Sequence, residues 1–146
     1  MGILGRIAIV CLAAAASVAC LAPQNSLMAG VDMSGWGDTA TVVYSNSDSL
    51  VMRDLNIALR YNDTFKASVL PLKVGITTPD ARYFEEEITL QINHPRTALT
   101  VATTESLPYR SDVVLAQKGE YIFAFTPLAE VRGVEAIGVE FREITE

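Results

Sequence analysis

From residue 36 onward, apolar side chains recur at every second position, and a period of two confines the chain to β-structure. Leu55, Ile57, Leu59 and Tyr61 alternate with Asn56, Ala58 and Arg60. Leu72, Val74 and Ile76 do the same, as do Ile88, Leu90 and Ile92. Tyr121, Phe123 and Phe125 share a face, and so do Ile137, Val139 and Phe141. Each run reads as a strand with one buried face. Residues 39–44 and 113–115 add shorter strands, and residues 98–103 a weaker one. Turn chemistry separates the runs: Ser45 to Ser49, Asn62-Asp63-Thr64, Thr78-Pro79-Asp80, Asn93-His94-Pro95 and Lys118-Gly119. Pro71 inside a strand pattern predicts an edge or a bulge, and residues 127–132 a helical turn or a loop. Without an amphipathic helix of useful length, the pattern predicts an all-β fold. We expect a single antiparallel β-sandwich of seven to eight strands, immunoglobulin-like or jelly-roll-like.

The N-terminal block belongs to another class. Arg6 is the only charge before Asp32, and residues 7–19 (IAIVCLAAAASVA) are small or apolar. A membrane-crossing helix needs ~20 apolar residues, whereas one basic residue, an apolar stretch and then small residues fit an export signal. The stretch ends in Ser17-Val18-Ala19-Cys20, which resembles a bacterial lipobox with Ser17 where Leu is usual. Residues 1–19 then read as a lipoprotein signal peptide, and Cys20 as the lipidated residue. Residues 20–35, with Pro23, Asn25, Ser26, Gly30, Ser34 and Gly35, read as a flexible tether to a domain over 36–146. A plain signal peptide cut after Ala19 is the alternative, and a retained anchor helix, which would have to extend across Pro23, Gln24 and Asn25, is a third. Acylation suits anchoring because each buried methylene contributes roughly 0.8 kcal/mol and more than one chain is needed for stable binding.

Removing residues 1–19 from the 146 leaves 127, with 10 basic residues against 17 acidic ones and a net charge of −7. That balance gives no footprint for a nucleic-acid partner. Cys11 is removed and Cys20 acylated, so the mature domain has no disulfide. Its stability rests on a packed core, which ~120 residues can supply.

The residues with chemical potential are few. His94, the single histidine, precedes Pro95 in a turn and reads as solvated; there is no Gly-x-Ser-x-Gly and no thiol for it to activate. Glu85, Glu86 and Glu87 form the densest acidic cluster. Two facing carboxylates would suit a hydrolase, and Asp80 could join them at a calcium ion. On a strand, however, Glu85 and Glu87 point one way and Glu86 the other, which fits edge protection. Trp36, Phe65, Tyr83 and Tyr109 are candidates for an exposed sugar-binding platform. Asp38-Thr39-Ala40 and Asp48-Ser49-Leu50 match a tripeptide used for O-glycosylation of exported Bacteroidetes proteins, which nominates Thr39 and Ser49. Neither a cofactor nor catalysis is expected from this inventory.

The C-terminal third is more specific. It reads QKGEYIFAF from Gln117 and PLAEVRGVEAIGVEFREI from Pro127. This resembles the end of the gliding-motility lipoprotein GldH family of Bacteroidetes. The corresponding residues are Gly119, Tyr121, Phe123, Gly133-Val134, Ile137-Gly138 and Val139. Residues 55–80 are similar to that family's Leu-x-Leu-Arg strand, polar turn and following strand, and Trp36 sits where the family often has a tryptophan. Residues 92–110 depart from the pattern, lacking a Gly-Trp-Gly-like segment. The resemblance implies a non-enzymatic accessory lipoprotein of the cell envelope, in the outer or inner membrane. Its partners would be the bilayer, through acylated Cys20, and proteins of the gliding and type IX secretion machinery. A surface carbohydrate-binding lipoprotein is the alternative.

Overall fold

The computed structural model describes residues 26–95 and 101–144, and these fold into eight strands without a helix. In chain order they are β1 (Ser26–Gly30), β2 (Ala40–Asn46), β3 (Met52–Asn62) and β4 (Val69–Thr77), followed by β5 (Tyr83–Gln91), β6 (Ala102–Val114), β7 (Gly119–Pro127) and β8 (Val134–Glu143). Two four-stranded antiparallel sheets form, in the orders β1-β8-β3-β6 and β2-β7-β4-β5, and pack face to face as a β-sandwich. The pairings nest: β1 with β8, β2 with β7, β3 with β6, and β4 with β5. Such nesting is what a long hairpin gives when it rolls over on itself. Of the two sandwich types expected, this is the jelly-roll order.

The period of two accounts for the core. Leu55, Ile57, Leu59 and Tyr61 of β3 face Leu70, Leu72 and Val74 of β4 and Phe123 and Phe125 of β7 across the interior. Ile137, Val139 and Phe141 extend the same layer on β8. Burial of this kind contributes roughly 1.5–3 kcal/mol for each large apolar side chain.

Buried polar groups are paired. The Tyr61 hydroxyl donates to the Glu105 carboxylate, which also accepts from the Asn93 backbone N–H at 3.1 Å. Burial, and then that carboxylate, push the Tyr61 phenol well above its usual range. At the opposite end, Arg53 donates to Asn46 Oδ1 at 3.2 Å and lies over the Tyr44 ring at 5.9 Å. Asn46 Nδ2 donates in turn to the carbonyls of Leu115 and Gln117 at 3.0 and 2.9 Å, pinning the β6–β7 connection.

Several expectations need correction. Part of the segment read as tether is a strand: β1 pairs with β8 from Ser26↔Glu140 to Gly30↔Ala136, so the sandwich already includes Ser26 and does not wait for Trp36. Trp36 is core, 2% exposed, bridging Val131 and donating from Nε1 to the Asp38 carbonyl at 2.7 Å. The expected strands at 98–103 and 113–115 meet in one element, β6, which runs continuously for 13 residues; residues 98–100 lie outside the described residues. Its irregular register opposite Arg53 to Asn56, with Asp112 at φ 55°, interrupts the alternation that would have revealed it. Pro71 lies on neither an edge strand nor a bulge. Its carbonyl accepts from Leu128 N–H just past the end of β7, where no ladder donor is required of it. Between β7 and β8 there is a loop and no helical turn.

Candidate functional site

Cys20, the expected lipid attachment point, lies outside the described residues. Thr39 is exposed at the start of β2, its hydroxyl 2.7 Å from that of Thr126. Ser49 is half-buried in the β2–β3 loop, where Asp48 Oδ1 accepts the Leu50 N–H at 2.9 Å. The two candidate glycosylation residues thus lie in separate places.

His94 is not merely solvated. It takes φ 46°, stacks on Phe65 at 5.7 Å and meets Tyr61 edge-on at 5.3 Å. One ring nitrogen contacts the Ala67 carbonyl at 2.6 Å. The imidazole therefore closes the end of the core over Phe65, which is only 3% exposed.

The acidic residues separate. Asp80 is held in the β4–β5 turn by the Thr78 hydroxyl, Gln117 and Arg82 Nε, the last at 3.0 Å. Those hydrogen bonds, Thr78 first, lower its pKa to about 2. Glu85 and Glu86 lie on opposite faces of β5 because successive strand residues alternate, and this removes the facing pair that a two-carboxylate hydrolase would need. Glu87 is exposed, two residues along from Glu85 on the outer face.

Glu86 belongs to the first of two surfaces with binding character. It faces inward from β5, the edge of one sheet, toward β6, the edge of the other. There it accepts from the Tyr109 hydroxyl and pairs with Arg110. The Tyr109 bond, with help from Arg110, lowers the Glu86 pKa, while burial and then Glu86 raise that of Tyr109. Arg110 also lies over the Tyr109 ring at 4.5 Å. The two edges are spanned by these long side chains, and a cleft of about 360 Å³ lies beside them, floored by Val74, Ile76 and Phe84. Phe84 shares the inward face of β5 with Glu86, Ile88 and Leu90, yet it is 54% exposed. It occupies a core-type position, yet what lies over its ring is the Arg82 guanidinium, at 6.0 Å.

The second surface is the outer face of the sheet β2-β7-β4-β5. Its middle row runs Thr41, Ala124, Gly75, Glu85 across the four strands. Gly75 and Ala124 keep the centre low, leaving a depression of about 230 Å³ rimmed by Thr39, Lys73, Tyr83, Glu85 and Thr126. The Tyr83 ring leans over Gly75, occupying the space a Cβ there would need. The Tyr83 hydroxyl donates to Glu85 at 2.6 Å, which raises its pKa, and Glu85 pairs with Lys73 at 3.8 Å. Of the four aromatics proposed as a platform, Tyr83 alone is well exposed, at 56%; Trp36 and Phe65 are buried and Tyr109 is half-buried in the cleft.

Sequence reasoning missed Arg110 and Phe84. Nothing local marks Arg110 as the partner of Glu86, 24 positions away. Phe84 reads as ordinary core until the opposing sheet is seen to stop short of it. No protein-family model matches the chain, and no curated protein matches it in sequence.

Proposed function

We propose that this chain is a non-enzymatic, lipid-anchored protein of the cell envelope that acts by docking partner proteins. The observation that carries the docking is the exposed Phe84 beside Tyr109 and Arg110. A large aromatic in an inward position, flanked by tyrosine and arginine, matches the composition of interface hot spots. The sandwich geometry suits an anchor at Cys20. Ser26 follows Cys20 by six positions, a reach of at most about 20 Å when extended. The edges β1 and β2 lie at one side of the sandwich and the edges β5 and β6 at the other. A lipid on Cys20 would therefore hold the β1 side near the bilayer and leave the cleft facing away. The sequence resemblance described above supports partners in the gliding and type IX secretion machinery.

The anchor and the docking are tested separately. Mass spectrometry of the mature N-terminus is expected to find acyl chains on Cys20, and Cys20→Ala to leave the membrane fraction. An unmodified N-terminus, or a Cys20→Ala form still in the membrane, overturns the anchor. A photo-crosslinking residue at position 84, in cells, is expected to give one discrete protein adduct that the same residue at Leu50 does not. Equal labelling from both positions overturns the cleft as the docking site.

A further inference from the structure

The depression on the outer face of β2-β7-β4-β5 carries an inference separate from the docking cleft. We propose that it binds one pyranose ring of a neutral glycan, with Tyr83 as the stacking surface and Lys73, Glu85, Thr39 and Thr126 as its polar rim.

Four observations select that occupant. The first is the fixed aromatic. Tyr83 rests over Gly75 and is tied by its hydroxyl to Glu85, yet more than half of it stays open to solvent. A tyrosine already held in place offers contact area with little rotamer freedom left to lose on binding. The second is the rim. Lys73 donates, Glu85 accepts, and the Thr39 and Thr126 hydroxyls do either. A sugar ring presents that mixture, apolar C–H faces with hydroxyls around the edge. The third is charge: Lys73 and Glu85 neutralise each other, so neither an anion nor a cation is favoured. The fourth is size and position. About 230 Å³ falls below the ~300–1,000 Å³ of pockets that enclose drug-sized ligands. The floor lies on β7 and β4, interior strands whose backbones are already paired on both sides. An extended peptide cannot add to the sheet there, because strand addition needs a free edge.

The arrangement also explains Gly75. Among the described glycines, it is the one whose missing side chain is replaced by a tyrosine. A β-carbon at 75 would lift Tyr83 from its bed without changing the chemistry of any rim residue.

The test uses the full-length lipoprotein in detergent, with saturation-transfer NMR against cellotriose, laminaritriose, chitotriose and xylotriose, and a proline-rich decapeptide alongside. Transfer to one sugar unit of at least one trisaccharide is expected. Tyr83→Ala and Gly75→Ala are each expected to weaken it at least tenfold. Leu50→Ser, in the exposed loop between β2 and β3, is expected to leave it unchanged. Three results overturn the proposal: no transfer to any of the four sugars, transfer that survives Tyr83→Ala, or binding of the peptide alone. Circular dichroism of Gly75→Ala and Tyr83→Ala guards against misfolding. Should either variant unfold, Lys73→Met, a change confined to the rim, takes its place with the same tenfold expectation.

Discussion

Glu86 shows how one side chain can join two sheets. Its carboxylate is the acceptor for both Tyr109 and Arg110, so its charge is favoured in the folded state and its pKa falls below the ordinary 4.5. A carboxylate with a depressed folded pKa stabilises fully above the unfolded value and loses that contribution as pH falls through the folded one. Glu86→Gln is therefore expected to lower the thermal midpoint at neutral pH. The gap to the parent should close as pH falls below the ordinary 4.5 and through the lower folded value. The Glu86 side chain is 39% exposed, so solvent screens the pair and the difference should be about 1 kcal/mol or less. A gap that stays constant with pH would remove the ionic latch. None of this was legible in the sequence, where Glu85, Glu86 and Glu87 read as edge protection. The alternation did divide Glu85 and Glu87 from Glu86; what it could not supply was Arg110 on a strand of the other sheet.

Among the elements, β3, β4, β7 and β8 were readable because they are interior strands whose buried faces keep a strict alternation. The edge strands were harder. β5 alternates over Ile88 and Leu90 but exposes its first half, and β6 hides its pattern behind an irregular register near Asp112. β1 is five residues of small and flexible side chains, SLMAG, which carry no periodic signal. What holds it is geometric. At Gly138 of β8 the β1 backbone comes so close that the Leu27 carbonyl occupies the place of a β-carbon. Gly138→Ala is thus expected to detach β1 while the other seven strands remain, at about 1–3 kcal/mol. Faster hydrogen exchange and proteolysis over residues 26–36, with unchanged protection in β3 and β7, would verify it. Equal loosening across all strands would contradict it. The loop before β8 is similarly fixed, because Gly133 at φ 88° packs its α-carbon against the Phe65 backbone.

For the molecule as a whole, the sandwich class followed from strand number and spacing, whereas the order of strands needed long-range pairing. Short β-hairpin turns identify neighbours only for β4 with β5; every other pair in the nest is distant in sequence. Pairings of that kind make folding slow, in the range of milliseconds to seconds for β-sandwiches. They also make the two ends interdependent. Deleting residues 134–146 removes β8, the strand between β1 and β3. The expected outcome is loss of the whole cooperative fold, read as loss of dispersed amide signals in NMR. A truncated chain that keeps its dispersion would contradict the nested architecture as the source of cooperativity.

The rolled hairpin also sets a schedule. Ser26 cannot meet Glu140 until almost the entire chain has left the ribosome. Through synthesis the leading segment emerges, exposed, long before its strand partner exists. Were residues 1–19 to act as the proposed export signal, this delay would keep the polypeptide threadable, the condition in which it can pass through a narrow translocation channel. Of the eight strands, the last to be made is the one that locks the first, so the fold completes only once β8 is free to pair.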